Sequence, residues 1–171
     1  DWTLKDGTLQ ISAQGEMPDY GSGEAAAPWM VKKDEIKKII INKGTTYIGA
    51  NAFYNCENLV EVQIAQGVKS IGEKAFCNCF KVETVTIPDS VKKIGNSAFC
   101  NCYKLINFQL PSQIREIEDR AFQDCNSIHD IILPETLEKI GFGAFICCHG
   151  LKKIKMPAGV EETGASTFWN C

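Results

Sequence analysis

The chain has 171 residues, 44% of them hydrophobic and 23% charged, with a formal net charge of -3 at pH 7. That composition supports one ordinary domain with a real core. It gives no electrostatic basis for an obligate nucleic-acid or anionic-membrane partner. No apolar run approaches the roughly 18 residues that span a bilayer as a helix.

The chain opens at Asp1 with neither Met nor a signal peptide, which predicts a removed leader or an excised piece of a longer protein. Trp2-Thr3-Leu4, Lys5-Asp6-Gly7 and Thr8-Leu9-Gln10-Ile11-Ser12 read as a hairpin turning at Asp-Gly. Gly15 to Ala27 is rich in Gly and Ala and reads as loop. Pro28 fits a first helical turn, so Ala27-Pro28-Trp29-Met30 predicts a short helix running to about Lys38. Residues 1–35 are expected to cap the N-terminal end of the remaining chain.

The remaining chain is a repeat. Phe53, Phe76, Phe99, Phe122, Phe145 and Phe168 are each 23 residues apart. Ala precedes the first five and Thr167 the last, and Cys56, Cys79, Cys102, Cys125, Cys148 and Cys171 come three residues later. Gly leads at 49, 72, 95, 141 and 164, with Glu118 as the exception. Each unit opens on an apolar residue (Ile36, Leu59, Val82, Leu105, Ile128, Leu151), and apolar residues recur three and five positions on, as in Val62 and Ile64. Pro88, Pro111, Pro134 and Pro157 come next, then a second apolar pair such as Val91 and Ile94.

The segment L-x-x-V-x-I alternates like a strand with one buried face. The Pro after it has no N–H and ends the pairing. V-x-x-I-G brings the chain round a turn that Gly permits. A-F-x-x-C is too short for an isolated helix, but one helical turn points its Ala, Phe and Cys inward. Single units cannot bury this much apolar surface, whereas stacked units with parallel strands can. The expected fold is an α/β repeat solenoid: a right-handed leucine-rich repeat with a parallel sheet on one face and short helical or 3₁₀ turns on the other. Residues 36–171 supply five full units and one incomplete one.

The run from Ile87 to Leu105, IPDSVKKIGNSAFCNCYKL, resembles the BspA-like leucine-rich repeats of bacterial surface proteins. The likeness covers about residues 36–171, with Ala65 for Pro, Val82 for Leu, Glu118 for Gly and Thr163 for Ile as departures in single rungs. The opening W-T-L…G-T-L-x-I-S, G-x-M-P-x-Y and P-W is similar to the segment that precedes the first repeat in that family. The resemblance implies an extracellular or cell-surface, non-enzymatic module for adhesion or recognition of host or neighbouring-cell macromolecules. The competing expectation is a structural stalk of a larger surface protein, with no ligand of its own.

Nine cysteines invite metal, redox or disulfide readings. The six in the repeat column read as buried free thiols packed beside Phe. Cys77, Cys100 and Cys147 are extra. Cys77-Asn78-Cys79 and Cys100-Asn101-Cys102 look like paired ligands, yet the repeat itself accounts for their separation, so no metal is expected. Cys147-Cys148-His149 has no evident Asp or Asn orienter, and no phosphate loop or nucleophile elbow occurs, so neither a catalytic residue nor a cofactor is expected. Glu73, Glu116, Glu118 and Asp119 fall at outward positions and read as surface charge.

Two surfaces are candidates for a ligand. In each strand, the residues two and four after the unit start should face away from the core: Glu61 and Gln63, Thr84 and Thr86, Asn107 and Gln109, Asp130 and Ile132, Lys153 and Lys155. A second, apolar patch groups Cys77 with Phe80 and Cys100 with Tyr103, with Tyr54 and Ile146 in the same outer column. If any cysteines are bridged, Cys77 and Cys100 are the expected pair, outward on adjacent rungs. The sixth unit stops at Cys171, leaving Ile154, Met156, Val160 and Phe168 with no next rung and a strand near Lys153 to Met156 unpaired. That predicts either missing repeats or end-to-end pairing of copies through this face.

Overall fold

The computed structural model describes residues 1–171. In chain order the strands are β1 (Trp2–Lys5), β2 (Thr8–Ile11), β3 (Gly15–Glu16), β4 (Lys38–Ile41), β5 (Thr45–Ile48), β6 (Glu61–Ile64), β7 (Ser70–Ile71), β8 (Thr84–Thr86), β9 (Lys93–Ile94), β10 (Asn107–Phe108), β11 (Glu116–Ile117), β12 (Lys139–Ile140) and β13 (Glu162–Thr163). They form two sheets. The first, here sheet A, runs β1-β2-β4-β6-β8-β10. From β2 onward it is parallel and in repeat register, with Ile39 opposite Val62, Val62 opposite Val85 and Val85 opposite Phe108. The inward residues of this column are buried, as the alternation requires.

Where a simple turn was expected after Pro, the chain builds a second parallel sheet. Sheet B runs β3-β5-β7-β9-β11-β12-β13. Its first apolar residue closes a turn onto the Pro carbonyl, as when Val91 N–H donates to Pro88 O at 3.1 Å. The Gly that comes next is required by close packing, not by a left-handed backbone. A Cβ on Gly72 would sit 2.6 Å from Ala50 N and 2.8 Å from Ile48 O. Glu118 occupies this column beside Gly95, and its carboxylate accepts Asn96 N–H at 2.9 Å.

The A-F-x-x-C arc holds no helix, which corrects the expected helical face. It is a series of tight turns with two left-handed residues per rung, such as Asn51 (φ 55) with Asn55 (φ 61) and Lys74 (φ 53) with Asn78 (φ 63). The alternation points every second N–H at the next rung: Asn51, Phe53 and Asn55 donate to Glu73, Ala75 and Cys77 at 2.9, 2.8 and 2.9 Å. The third side of the solenoid is therefore also a hydrogen-bonded ladder. Asn suits this backbone because its short polar side chain tolerates positive φ. Asn78 Nδ2 donates to Asn55 Oδ1 and Asn101 Nδ2 to Asn78 Oδ1, both at 2.7 Å.

A file of aromatic rings forms the core. Phe53 to Phe168 stack with centroids 5.0–5.6 Å apart, the outer values being those of Phe53–Phe76 and Phe145–Phe168. Trp29 extends the file, stacked on Phe53 at 5.5 Å, and its Nε1 donates to Ala52 O at 2.8 Å. Trp29 sits in a 3₁₀ helix, Pro28–Glu35, rather than a helix reaching Lys38. The predicted hairpin is β1–β2, with Asp6 (φ 50) and Gly7 (φ 77) both left-handed as a two-residue turn demands. Within the stretch read as loop, β3 pairs with β5 and a 3₁₀ turn spans Gly23–Ala25.

Candidate functional site

The ten residues expected to point outward on the sheet A face are each half-buried or exposed; Glu61, Gln63, Thr84, Thr86 and Asn107 lie in strands of sheet A, and the other five follow in the same register beyond it, where the inward Ile154 and Met156 of the last rung are not fully buried. The face divides into two halves. Toward the N-terminus its side chains are occupied with one another: Lys38 pairs with Glu61 at 3.0 Å, Gln63 donates to Glu61 at 2.6 Å, and Asn107 donates to Thr84 Oγ1 at 3.2 Å. The Lys38 ammonium accordingly holds the Glu61 carboxyl below its ordinary range. Toward the C-terminus, Thr86, Gln109, Asp130, Lys153 and Lys155 make no side-chain hydrogen bond or ion pair within the chain.

Two hollows lie at the boundary of the halves and beyond it. A groove of about 470 Å³ is lined by Thr84, Thr86, Ile106, Asn107, Phe108 and Gln109, among others. Its neighbour, about 440 Å³, shares Phe108 and Gln109 and reaches Asp130, Ile131, Ile132 and Pro134. Both fall within the roughly 300–1,000 Å³ usual for binding clefts. On their rims Ile106 is 51% and Ile132 85% exposed, unusual values for isoleucine on a face of polar residues.

The second predicted patch is not an apolar surface. Cys77 and Cys100 are buried at 7% and 8% exposure, because the left-handed backbone beside them tucks the arc against the next rung. Phe80 and Tyr103 do stack, with centroids 5.4 Å apart, but of the six residues only Tyr103 is exposed, while Tyr54, Phe80 and Ile146 are half-buried.

All nine cysteines are free thiols, Cys77 and Cys100 included. In the column, Cys79, Cys102, Cys125 and Cys148 donate to the carbonyls of Phe53, Phe76, Phe99 and Phe122, at 3.4, 3.4, 3.2 and 3.1 Å. Burial pushes the Cys56 thiol up to about 12 and raises Cys79, Cys102 and Cys148 as well. Thiolates, the form that ligates metals and attacks carbonyls, are thus disfavoured in the core. Cys171 departs from the expected burial and is exposed, since it lies on the outermost rung. Cys77 and Cys79 point to different partners, Asn78 Oδ1 and Phe53 O, so their spacing does not make a ligand pair.

The outer face of sheet B is a ladder of opposite charges. Lys93 pairs with Glu116 and Glu118, Arg115 with Glu138, and Lys139 with Glu162. Asp119 accepts Phe142 N–H at 2.7 Å, and Glu73 pairs with Lys74. These carboxylates are partnered surface charge.

Geometry alone defines a parallel β-solenoid with a partly unoccupied polar face. The family described as BspA type leucine rich repeat region matches residues 46–171 in 6 copies, and the chain belongs to that family. No curated protein matches the sequence significantly. A leucine-rich repeat protein from Eubacterium ventriosum superposes with a TM-score of 0.80 at 33% identity, over 92% of this chain and 42% of the other. The chain therefore spans less than half the length of that relative. A leucine-rich cell surface protein from Faecalibacterium prausnitzii gives 0.60 at 26% identity, covering 94% of this chain and 53% of its own. The leucine-rich repeat protein of T. pallidum shares the fold, with a TM-score of 0.79 at 21% identity over 100% of this chain and 86% of its own.

Proposed function

We propose that the chain is a non-enzymatic recognition module that binds a partner protein at a bacterial cell surface, through the C-terminal half of the sheet A face. One observation carries this reading. Thr86, Gln109 and Asp130, polar side chains left without internal partners, line two grooves rimmed by exposed isoleucines, and Lys153 lies on the adjacent rung, joined to Asp130 by an isolated β-bridge. Solenoids bind through such extended sheet faces. The likeness to the Faecalibacterium cell surface protein supports the surface placement. A spacer role is the competing reading, favoured by the unbroken aromatic file from Trp29 to Phe168.

Residues 1–35 are read as an N-terminal cap on a solenoid of residues 36–171. Supporting this, Trp2 and Tyr20 pack edge-on against Trp29 at 6.3 and 5.5 Å. The exposed last rung, with Trp169 and Cys171, is read as a contact for a second copy. Concentration-dependent sedimentation of the wild type, with Phe168→Glu as control, tests this, and a strictly monomeric wild type would contradict it.

The test of recognition is binding of the labelled chain to epithelial and bacterial cell surfaces, beside the double variant Thr86→Arg, Gln109→Arg. The expected result is saturable binding by the wild type and loss in the variant at an unchanged melting temperature. Equal binding by both would assign recognition to another face, and no binding by either would favour the spacer.

A further inference from the structure

Sheet A does not run the length of the solenoid. Sheet B continues to β13, and the arc ladder continues to the last rung, where Phe145 N–H donates to Thr167 O at 2.9 Å. Sheet A stops at β10. No backbone hydrogen bond joins residues 106–110 to residues 129–133, although these stretches hold equivalent positions in adjacent units. The next rung is tied on by an isolated bridge between Asp130 and Lys153.

The last paired residue of sheet A is Phe108. Its column is otherwise Ile39, Val62, Val85, Ile131 and Ile154. The larger ring packs on Phe122 at 4.9 Å with an interplanar angle of 43°, whereas the neighbouring core rings stack within 5°. Phe108 thus brings a ring against Phe122 at a position where the neighbouring units carry an aliphatic side chain, just before the rung that fails to pair. A well-packed core transmits such a wedge into a discrete displacement.

The opening presents main-chain groups, not only apolar surface. In a parallel ladder alternate residues address opposite neighbours. Asn107 N–H donates back to Glu83 O at 3.0 Å, so the N–H and C=O of Phe108 point forward into the groove of about 440 Å³. An unprotected edge of this kind is a template for another strand. On the following rung Lys152, Lys153 and Lys155 are exposed and in no ion pair; of the nearby carboxylates, Asp130 lines the groove, while Asp89 is engaged by the N–H of the lining residue Ser112 at 2.8 Å.

We propose that the Phe108 wedge holds sheet A open and that the slot after β10 takes up an extended segment of a partner protein, apolar on one side and acidic, as an added strand. The added strand would donate and accept along β10, lay apolar side chains against Ile132, and set its carboxylates toward the lysines of the following rung. This proposal deepens the recognition reading and rests on it.

The probe is a short synthetic peptide alternating Val and Glu, compared with its Val and Lys counterpart and with the same acidic peptide N-methylated on alternate amides. Binding is followed by fluorescence anisotropy, and amide hydrogen exchange locates the contact. The acidic peptide is expected to bind at least about tenfold tighter than the basic one at low salt, to lose affinity on N-methylation, and to protect the Phe108 and Ile132 amides. Phe108→Val, which restores the residue type of its column, should protect residues 106–110 in the free protein and abolish peptide binding. Ile132→Pro, at an exposed residue whose N–H has no partner, should abolish binding without lowering the melting temperature.

Phe108 and Ile132 amides as protected in the free wild type as that of Val85 would overturn the proposal. So would an acidic peptide that fails to bind, that binds with shifts confined to β6 and β8, or that keeps full affinity for Ile132→Pro. None of these results touches the recognition reading, which stands or falls on the cell-surface binding of the arginine variant.

Discussion

The cysteine and phenylalanine columns show how one residue type comes to recur. A thiol at the arc's end is small enough for the core and can donate to the carbonyl of a Phe one rung away, as Cys102 does to Phe76 O at 3.4 Å. Truncating one ring of the stack, Phe99→Ala, is expected to cost about 3–5 kcal/mol, the range for a buried Phe. Thr86→Ala on the open face should stay within roughly 0.5 kcal/mol, and urea melts of the two variants check the contrast. The thiols also set an alkaline limit. A thiol raised on folding binds its proton more tightly in the folded state. Its contribution is whole below about pH 9, and for Cys56 it is lost as pH rises toward about 12. Urea midpoints should therefore be flat from neutral pH to pH 8 and fall above pH 9, by up to about 1.4 kcal/mol per pH unit for each such thiol. A midpoint unchanged at pH 10 would contradict the burial of these groups. Mass spectrometry after alkylation of the denatured, unreduced protein should find all nine cysteines labelled.

At the scale of the element, the rungs up to β10 are closed by three ladders rather than one sheet and a helix, and the later rungs keep sheet B and the arc. The strand column was legible because four-residue segments such as Glu61–Ile64 alternate apolar and polar residues over enough length to show a period of two. Sheet B was not legible: two residues, as in Ser70–Ile71, cannot display a period. The arc was misread because i, i+3 spacing of Phe and Cys suits a helical turn and a pair of tight turns alike. The signal that separates them was present in Asn51, Asn55, Asn78 and Asn101, residues at home in the left-handed region. Asn78→Ala should cost about 1–2 kcal/mol, the penalty for an ordinary residue held at positive φ. Asn78→Gly should cost less, since Gly relieves the backbone and loses only the side-chain bonds with Asn55, Asn101, Tyr54 and Cys77. Thermal melts in which the two variants lose stability equally would assign the column to its side-chain ladder alone.

Across the whole molecule, a 23-residue register propagates from Phe53 to Phe168, and departures from it mark where the solenoid does something other than stack. Trp29 escaped notice in the repeat because it precedes Phe53 by 24 residues, one more than the register. Phe108 escaped because a larger apolar residue in an apolar column leaves the pattern intact while changing the volume. The outward positions of the sheet A face were readable from alternation, but two things were not. One was which side chains had found internal partners, and the other was where the sheet had opened. Recognition through that face is the central claim, and one measurement addresses it most directly. A saturation library of the chain, displayed and sorted separately for folding and for binding to the cell surface that retains the wild type, assigns each position a stability cost and an affinity cost. Positions costly for binding but silent for folding should gather at Thr86, Ile106, Gln109, Asp130, Ile132 and Lys153. The same class of positions scattered over sheet B and the arc, or absent altogether, would contradict the account.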